Sequence, residues 1–242
     1  RVIKQFKPLQ IKKVVISLSF AYIFDSMPLG ENWKDYGINW VMTTNDVIKD
    51  LIQWSMGIEN VHIIASSIDH NIFHYNPDMK KLQVAYTKRK DTLSPIVEKI
   101  LKSRDVSFQE LDFIAIENLK LQDYAHVLKQ SEIYLTTSIH EGLNLSVLEA
   151  MACGCICIGF HGIGAKDYII ESGQQQNFVL AESANFIDLS QKLAELVEKD
   201  KRKDPAVEAI RQNALTTAAS FPPDLEKKSL LEFWKVFFEA ES

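Results

Sequence analysis

The stretch from Ser138 to Gly164 limits the fold more than any other part of the chain. It reads Ser-Ile-His-Glu-Gly-Leu-Asn-Leu-Ser-Val-Leu-Glu-Ala-Met-Ala-Cys-Gly-Cys-Ile-Cys-Ile-Gly-Phe-His-Gly-Ile-Gly. The apolar run Ile133-Tyr134-Leu135 leads into Thr136, Thr137 and Ser138, as expected of a strand covered on both faces. Glu141-Gly142-Leu143-Asn144 reads as a turn, because Gly and Asn adopt positive φ at low cost. Leu145, Leu148 and Ala152 lie at helical spacing, and Gly154 stops that helix. Cys155 to Gly159 is apolar again and reads as the next strand.

A strand, a turn and a helix start form the place where an α/β sheet holds an anion, since free N–H groups and the helix dipole point outward there. Five of the nine glycines fall between Gly142 and Gly164, so close backbone approach is concentrated here. Glu141 and Glu149 frame the turn. A carboxylate beside a phosphate would be repelled, so both acids are expected to face something neutral and rich in hydroxyls, such as a sugar. Two plainer readings stand beside this one. Ser146-x-x-Glu149 also fits a capping box, and Glu141 also fits an ordinary solvated turn residue.

The order Glu-Gly-Leu-Asn-Leu-Ser-Val-Leu-Glu-Ala-Met-Ala-x-Gly resembles the signature of retaining GT-B glycosyltransferases, especially the family 4 type (glycosyl transferases group 1). The resemblance implies that Glu141 contacts the donor sugar hydroxyls and Glu149 the ribose of a nucleotide sugar. It implies that Ser138 and the backbone of Gly142, Leu143, Asn144 and Leu145 meet the diphosphate. Asn144 stands where the family more often has Gly, and Asn can keep the same left-handed turn. The cationic turn Thr87-Lys88-Arg89-Lys90-Asp91 follows the first strand of the second half. It is similar to the family's diphosphate-holding Arg and Lys, though without the usual Gly-Arg-x3-Lys-Gly form. Arg89 and Lys90 are assigned that role, with a solvated charge run as the alternative.

The implied fold is α/β and GT-B-like: a Rossmann-type donor domain with a doubly wound parallel sheet, plus a partial N-terminal α/β domain. The expected divisions are 1–66 for the partial, acceptor-side domain and 67–222 for the nucleotide-sugar domain. A C-terminal helix over 223–242, apolar at Leu230, Leu231, Trp234, Phe237 and Phe238, is expected to return to the first domain. In the first domain the reading places strands at Val14–Phe20, Ile38–Met42 and Val61–Ala65, fewer than family members build. The first of these is expected to leave an unpaired edge. A helix starts at Thr44-Asn45-Asp46 and ends at Gly57. In the second, strands are expected at Leu82–Tyr86, Leu111–Ile116, Glu132–Thr137 and Phe178–Leu180. Helices are expected near Ser94–Lys102, from Leu121 through Tyr124 and Ala125 to Leu128, and over 185–199 and 204–219. Gly159-x-x-Gly162-x-Gly164 is expected to turn the chain into a helix carrying Asp167 and Tyr168. Ile68-Asp69-x3-Phe73 resembles the segment with which GT-B enzymes leave the first domain. His70 and His74 read as loop residues there.

Composition excludes some classes. The net charge of −5 argues against broad nucleic-acid binding. No run approaches the ~18 apolar residues of a membrane span, and no signal peptide is visible. The chain opens on Arg1 rather than Met, as a fragment would. The three cysteines, Cys153, Cys155 and Cys157, lack zinc-site spacing and read as reduced core residues of a cytoplasmic protein. Arg1, Lys4, Lys7, Lys12 and Lys13 form a basic terminus that reads as solvated or, alternatively, as touching an anionic acceptor or the inner membrane face. The expected function is transfer of a sugar from a nucleotide sugar to a glycan or lipid-linked acceptor, with retention and without metal or further cofactor. The alternative is a nucleotide-sugar-binding module without turnover.

Overall fold

The computed structural model describes residues 5–9, 11–19, 21–25, 27–88, 93–139 and 141–240. Two compact units emerge: one built from 1–67, 140–143 and 223–242, the other from 68–139 and 144–222.

In the first unit three strands, β1 (Val14–Ser17), β2 (Trp40–Thr43) and β3 (Asn60–Ile63), pair in parallel in the order β1-β2-β3. A short helix, α1 (Ala21–Asp25), follows β1. The central strand is buried at every position, as its unbroken apolar run requires. Helix α2 (Asp46–Met56) begins at Asn45, whose side chain accepts from the amide of Ile48, and ends at Gly57 in the left-handed conformation. Its Ile48, Ile52 and Met56 pack with Trp33, Tyr36 and Val41 on one face of the sheet. On the other face the C-terminal helix α8 (Pro223–Ala240) places Phe233 and Phe237 against Trp40 and Met42. Its Leu231 and Phe238 remain exposed. Within the basic terminus, Lys13 donates to the carbonyl of Tyr36 and Lys7 lies over the Tyr36 ring, so these two cations serve the unit itself. Arg1 and Lys4 lie outside the described residues.

The second unit holds five parallel strands: β4 (Lys81–Thr87), β5 (Asp112–Ile116), β6 (Ser131–Thr136), β7 (Ile156–Gly159) and β8 (Val179–Leu180). Their order is β5-β4-β6-β7-β8. The helices are α3 (Ser94–Arg104), α4 (Leu121–Gln130), α5 (Leu145–Ala152), α6 (Phe186–Lys201) and α7 (Pro205–Ala219). Alternation along the strands divides the core. Val84, Ile133, Leu135, Ile156 and Ile158 join Val97, Leu101, Leu189 and Leu193 of α3 and α6 in one cluster. Cys155 and Cys157 alternate with these residues and are fully buried. The Cys155 thiol donates to the carbonyls of Leu128 and Ser131, and that of Cys157 to Val147. Small buried thiols suit this tight seam.

Element boundaries expected from sequence lie within a few residues of those found, with one change of type. Asp167 belongs to a short 3-10 turn (Gly164–Asp167) that ends just before Tyr168, and not to an α-helix. Among the described residues, no helix is long and apolar enough to cross a membrane.

Among the described residues β1 pairs only with β2, and its Ile16 (61%) and the following Leu18 (63%) stand largely in solvent. An apolar open edge templates association. Sedimentation should therefore show concentration-dependent association of the chain that Ile16→Lys reduces. Identical profiles for the two proteins would show that this edge is inert.

Candidate active site

Strands β5 and β4 run outward on one side of the second sheet, and β6, β7 and β8 on the other. The order reverses between β4 and β6, and in open α/β sheets ligands bind outside the carboxyl ends of the strands at such a switch point. The β4 end delivers Thr87 and Lys88, and the β6 end delivers Thr136 and Ser138 on the way to α5. Both segments singled out from sequence thus leave neighbouring strands at the switch point. Arg89 and Lys90 lie outside the described residues, as does His140. Lys88 pairs with Glu117 at 2.7 Å, at the carboxyl end of β5.

The entry to α5 is a left-handed residue. Asn144 sits at φ 58°, ψ 57° and is buried. Its carbonyl accepts from the Tyr168 hydroxyl at 3.0 Å and its Oδ1 from the Ser146 hydroxyl at 2.9 Å. Its Nδ2 donates to Thr136 Oγ1 at 3.3 Å. With the side chain so engaged, the helix has no side-chain cap, and the amides of Leu145 and Ser146 have no acceptor within the helix. Leu145 is exposed at this first position, and Val147, Leu148, Met151 and Ala152 carry the packing. The far end of α5 closes at Gly154 (φ 76°), whose carbonyl accepts from the buried Arg211 guanidinium. Arg211 also pairs with Glu132 at 2.6 Å and Glu208 at 3.0 Å.

At Gly142 the expected close backbone approach holds and the expected left-handed turn geometry does not. It lacks positive φ, and close approach explains it instead: a Cβ there would stand 2.5 Å from the Leu18 carbonyl and 2.9 Å from Ile48 Cδ1. Its own carbonyl accepts from Asn45 Nδ2. Glu141, Gly142 and Leu143 belong to the first unit, and Asn144 begins the second unit's share of the motif.

Glu149 is not the partner of a capping box. It occupies the fifth position of α5, and Ser146 bonds Asn144 instead. The Glu149 carboxylate faces α4, where the Tyr124 hydroxyl donates to Oε2 at 2.7 Å. Burial pushes this acid up to about 7, while the Tyr124 hydrogen bond pulls the other way. Nearby, Tyr134 is buried with its hydroxyl 2.6 Å from Thr87 Oγ1, which ties β6 to β4 near the carboxyl end of β4. Periodicity identified Tyr124 as a core position of α4, but nothing in the sequence named its hydroxyl's partner. Tyr168 and Arg211 were likewise invisible as braces, because their partners lie 24 and 57 residues away.

Comparison with known proteins finds similarity in sequence and in fold. Residues 111–214 match the family model described as glycosyl transferases group 1. An alpha-1,6-glucosyltransferase of Actinobacillus pleuropneumoniae is 32% identical over 82 residues, covering 34% of this chain and 25% of that protein. The GtfA subunit of a UDP-N-acetylglucosamine–peptide N-acetylglucosaminyltransferase of Streptococcus pneumoniae is 26% identical over 143 residues, covering 57% and 26%. The match therefore spans about a quarter of each curated relative. Among solved structures, the pneumococcal O-GlcNAc transferase GtfA, in complex with UDP and GlcNAc, superposes with a TM-score of 0.66 at 18% identity. That match covers 98% of this chain and 54% of that one. Sucrose-phosphate synthase from Thermosynechococcus elongatus gives 0.73 at 11% identity, covering 98% and 70%. The fold is α/β of the GT-B glycosyltransferase kind, and the second unit is Rossmann-like.

Two consequences concern stability. Asn144→Ala loses a residue suited to the left-handed region and two side-chain hydrogen bonds, and should cost about 2–3 kcal/mol in urea unfolding. Asn144→Gly, which restores backbone freedom, should cost about 1 kcal/mol. Equal losses would contradict the backbone part of the argument.

The second concerns Glu149. Its folded value lies above its ordinary 4.5. Its contribution is therefore intact below the unfolded value and lost as pH rises through about 7. Glu149→Gln should melt higher than wild type at pH 8, by about 1–3 kcal/mol, and match it near pH 5. A variant no more stable than wild type at pH 8 would contradict a burial-dominated shift.

Proposed function

We propose that this chain binds the nucleotide sugar of a glycosyltransferase at the β4–β6 crevice and takes part in transferring its sugar to an acceptor. The observation that carries the reading is the meeting of three things at one switch point. These are a left-handed helix entry without a side-chain cap, a half-buried carboxylate on the same helix, and Lys88 at the carboxyl end of β4. The match over residues 111–214 supports a glycosyltransferase donor site, and the UDP complex of the pneumococcal neighbour supports a uridine diphosphate sugar as the donor.

In this reading the amides of Leu143, Asn144 and Leu145, with Ser138 and the Gly142 backbone, receive the diphosphate, and Arg89 and Lys90 balance its charge. No resident cofactor or metal ion is assigned. Glu149 accepts from the ribose hydroxyls, and Glu141 orients the donor sugar. The bond between the anomeric carbon and the β-phosphate oxygen breaks, its electron pair leaving with the diphosphate. An acceptor hydroxyl attacks on the same face and its proton passes to the departing phosphate, so configuration is retained. The protein's part is positioning and stabilisation of leaving-group charge. The acceptor is a glycan or a lipid-linked precursor, which the first unit would meet. A first sheet of three described strands favours one second reading, a donor-binding module without turnover.

A thermal-shift screen with UDP-, GDP-, ADP- and dTDP-sugars should raise the midpoint most with a UDP-sugar. Glu149→Ala should weaken UDP about tenfold to a hundredfold in calorimetry. Slow release of UDP from UDP-glucose separates enzyme from module. No stabilisation by any donor would overturn both readings.

A further inference from the structure

Glu149 is reached through a chain of contacts that begins at the first residues of the second unit. Ile68 is buried, and its amide donates to the Phe221 carbonyl at 2.8 Å. Asp69 closes a tight turn: its carbonyl accepts from the amides of Ile72 and Phe73, and its Oδ1 from Asn71. That turn buries Phe73, whose ring meets the Tyr124 ring edge-on at 5.7 Å between centroids. Tyr124, fixed by α4 beneath and Phe73 beside it, presents its hydroxyl to Glu149 Oε2 at 2.7 Å. Glu149 Oε1 has no hydrogen bond from the described residues. Each carboxylate oxygen has two acceptor sites, so three remain for a diol.

On the donor-site reading above, we infer that Tyr124 is the positioning residue for Glu149: its hydroxyl fixes the carboxylate's rotamer and keeps it charged for the ribose. The pairing makes nucleotide binding depend on pH in a way that reports Tyr124. Among the described residues, the titratable groups that interact with Glu149 are Tyr124 from α4, Tyr134 from β6 and Cys153 at the end of α5. Burial pushes all three up, so they stay protonated through neutral pH while Glu149 titrates. The charged acid is the acceptor, so binding is strong above its midpoint and weakens as pH falls through it. Removing the hydroxyl removes a bond to the charged form and moves that midpoint upward.

The test is calorimetric titration of UDP from pH 5.5 to 8.5 with wild type, Tyr124→Phe, Glu149→Gln and the double variant. Tyr124→Phe should bind about threefold to tenfold more weakly near pH 7.5, with its midpoint shifted to higher pH. Glu149→Gln should retain only the pH dependence of the UDP phosphate itself. In the double variant the Tyr124→Phe effect should vanish, which a general loosening of α4 would not produce. Wild type that binds UDP while Tyr124→Phe keeps the same affinity and midpoint would overturn the inference and leave the donor site standing. Persistence of the full effect in the Glu149→Gln background would also overturn it. Wild type that binds no UDP would overturn the donor-site reading and this inference together.

Discussion

Asn144 turns the chain through the left-handed region between the end of β6 and the start of α5, and the candidate site depends on that turn. An L-residue held there costs about 1–2 kcal/mol, less for Asn than for most. Three partners offset the cost. Tyr168 donates to the Asn144 carbonyl, Ser146 to its Oδ1, and its Nδ2 reaches Thr136 at the end of the preceding strand. Because the side chain is spent on the turn, it cannot cap the helix. The first amides of α5 are left without an intrahelical or side-chain acceptor as a consequence of the same bonds that hold the bend. The opposite end of the helix is fixed by Arg211 on the Gly154 carbonyl. A short helix pinned at both ends gives its fifth residue, Glu149, a defined position.

Burial of Glu149 works against stability and, in the proposed donor site, in favour of recognition. A carboxylate pushed up to about 7 by desolvation is half-committed to being neutral at physiological pH. A single hydroxyl from α4 tips it toward the charged form. Sites that must present an acceptor to a hydroxyl-bearing ligand commonly hold such destabilised groups, and the surrounding packing of α5 absorbs the cost. The Arg211 cluster at the amino-terminal end of β6 shows the contrasting case. There a buried cation is met by Glu132 and Glu208, with Asp200 3.9 Å away, so charge is matched by charge and the cluster is structural.

Local pattern made the architecture legible. Apolar runs on β6 and β7, the Asn45 and Gly57 limits of α2, and the Gly154 stop of α5 are each set by a few neighbouring residues. The left-handed tolerance of Asn144 was readable for the same reason. What stayed hidden was long-range. Periodicity buries Tyr124 but does not say that its hydroxyl meets a carboxylate 25 residues on. Arg211 lies in an otherwise ordinary helix, and its main partner Glu132 is 79 residues away. Of the two reasons the sequence offered for Gly142, left-handed turn geometry and close backbone approach, the structure keeps the second. That the neighbours leaving no room for a side chain are the Leu18 carbonyl and Ile48, more than ninety residues earlier, is visible only in three dimensions.

In the proposed function the donor's phosphates meet the chain where the sheet order reverses. Mapping backbone amide chemical shifts by NMR during titration with UDP tests this directly. The perturbed amides should cluster over 87–93 and 136–149, with the Tyr124 region following. Perturbations confined elsewhere would contradict it, for instance to the groove of about 410 Å³ lined by Lys192, Leu196, Val207 and Ile210 between α6 and α7.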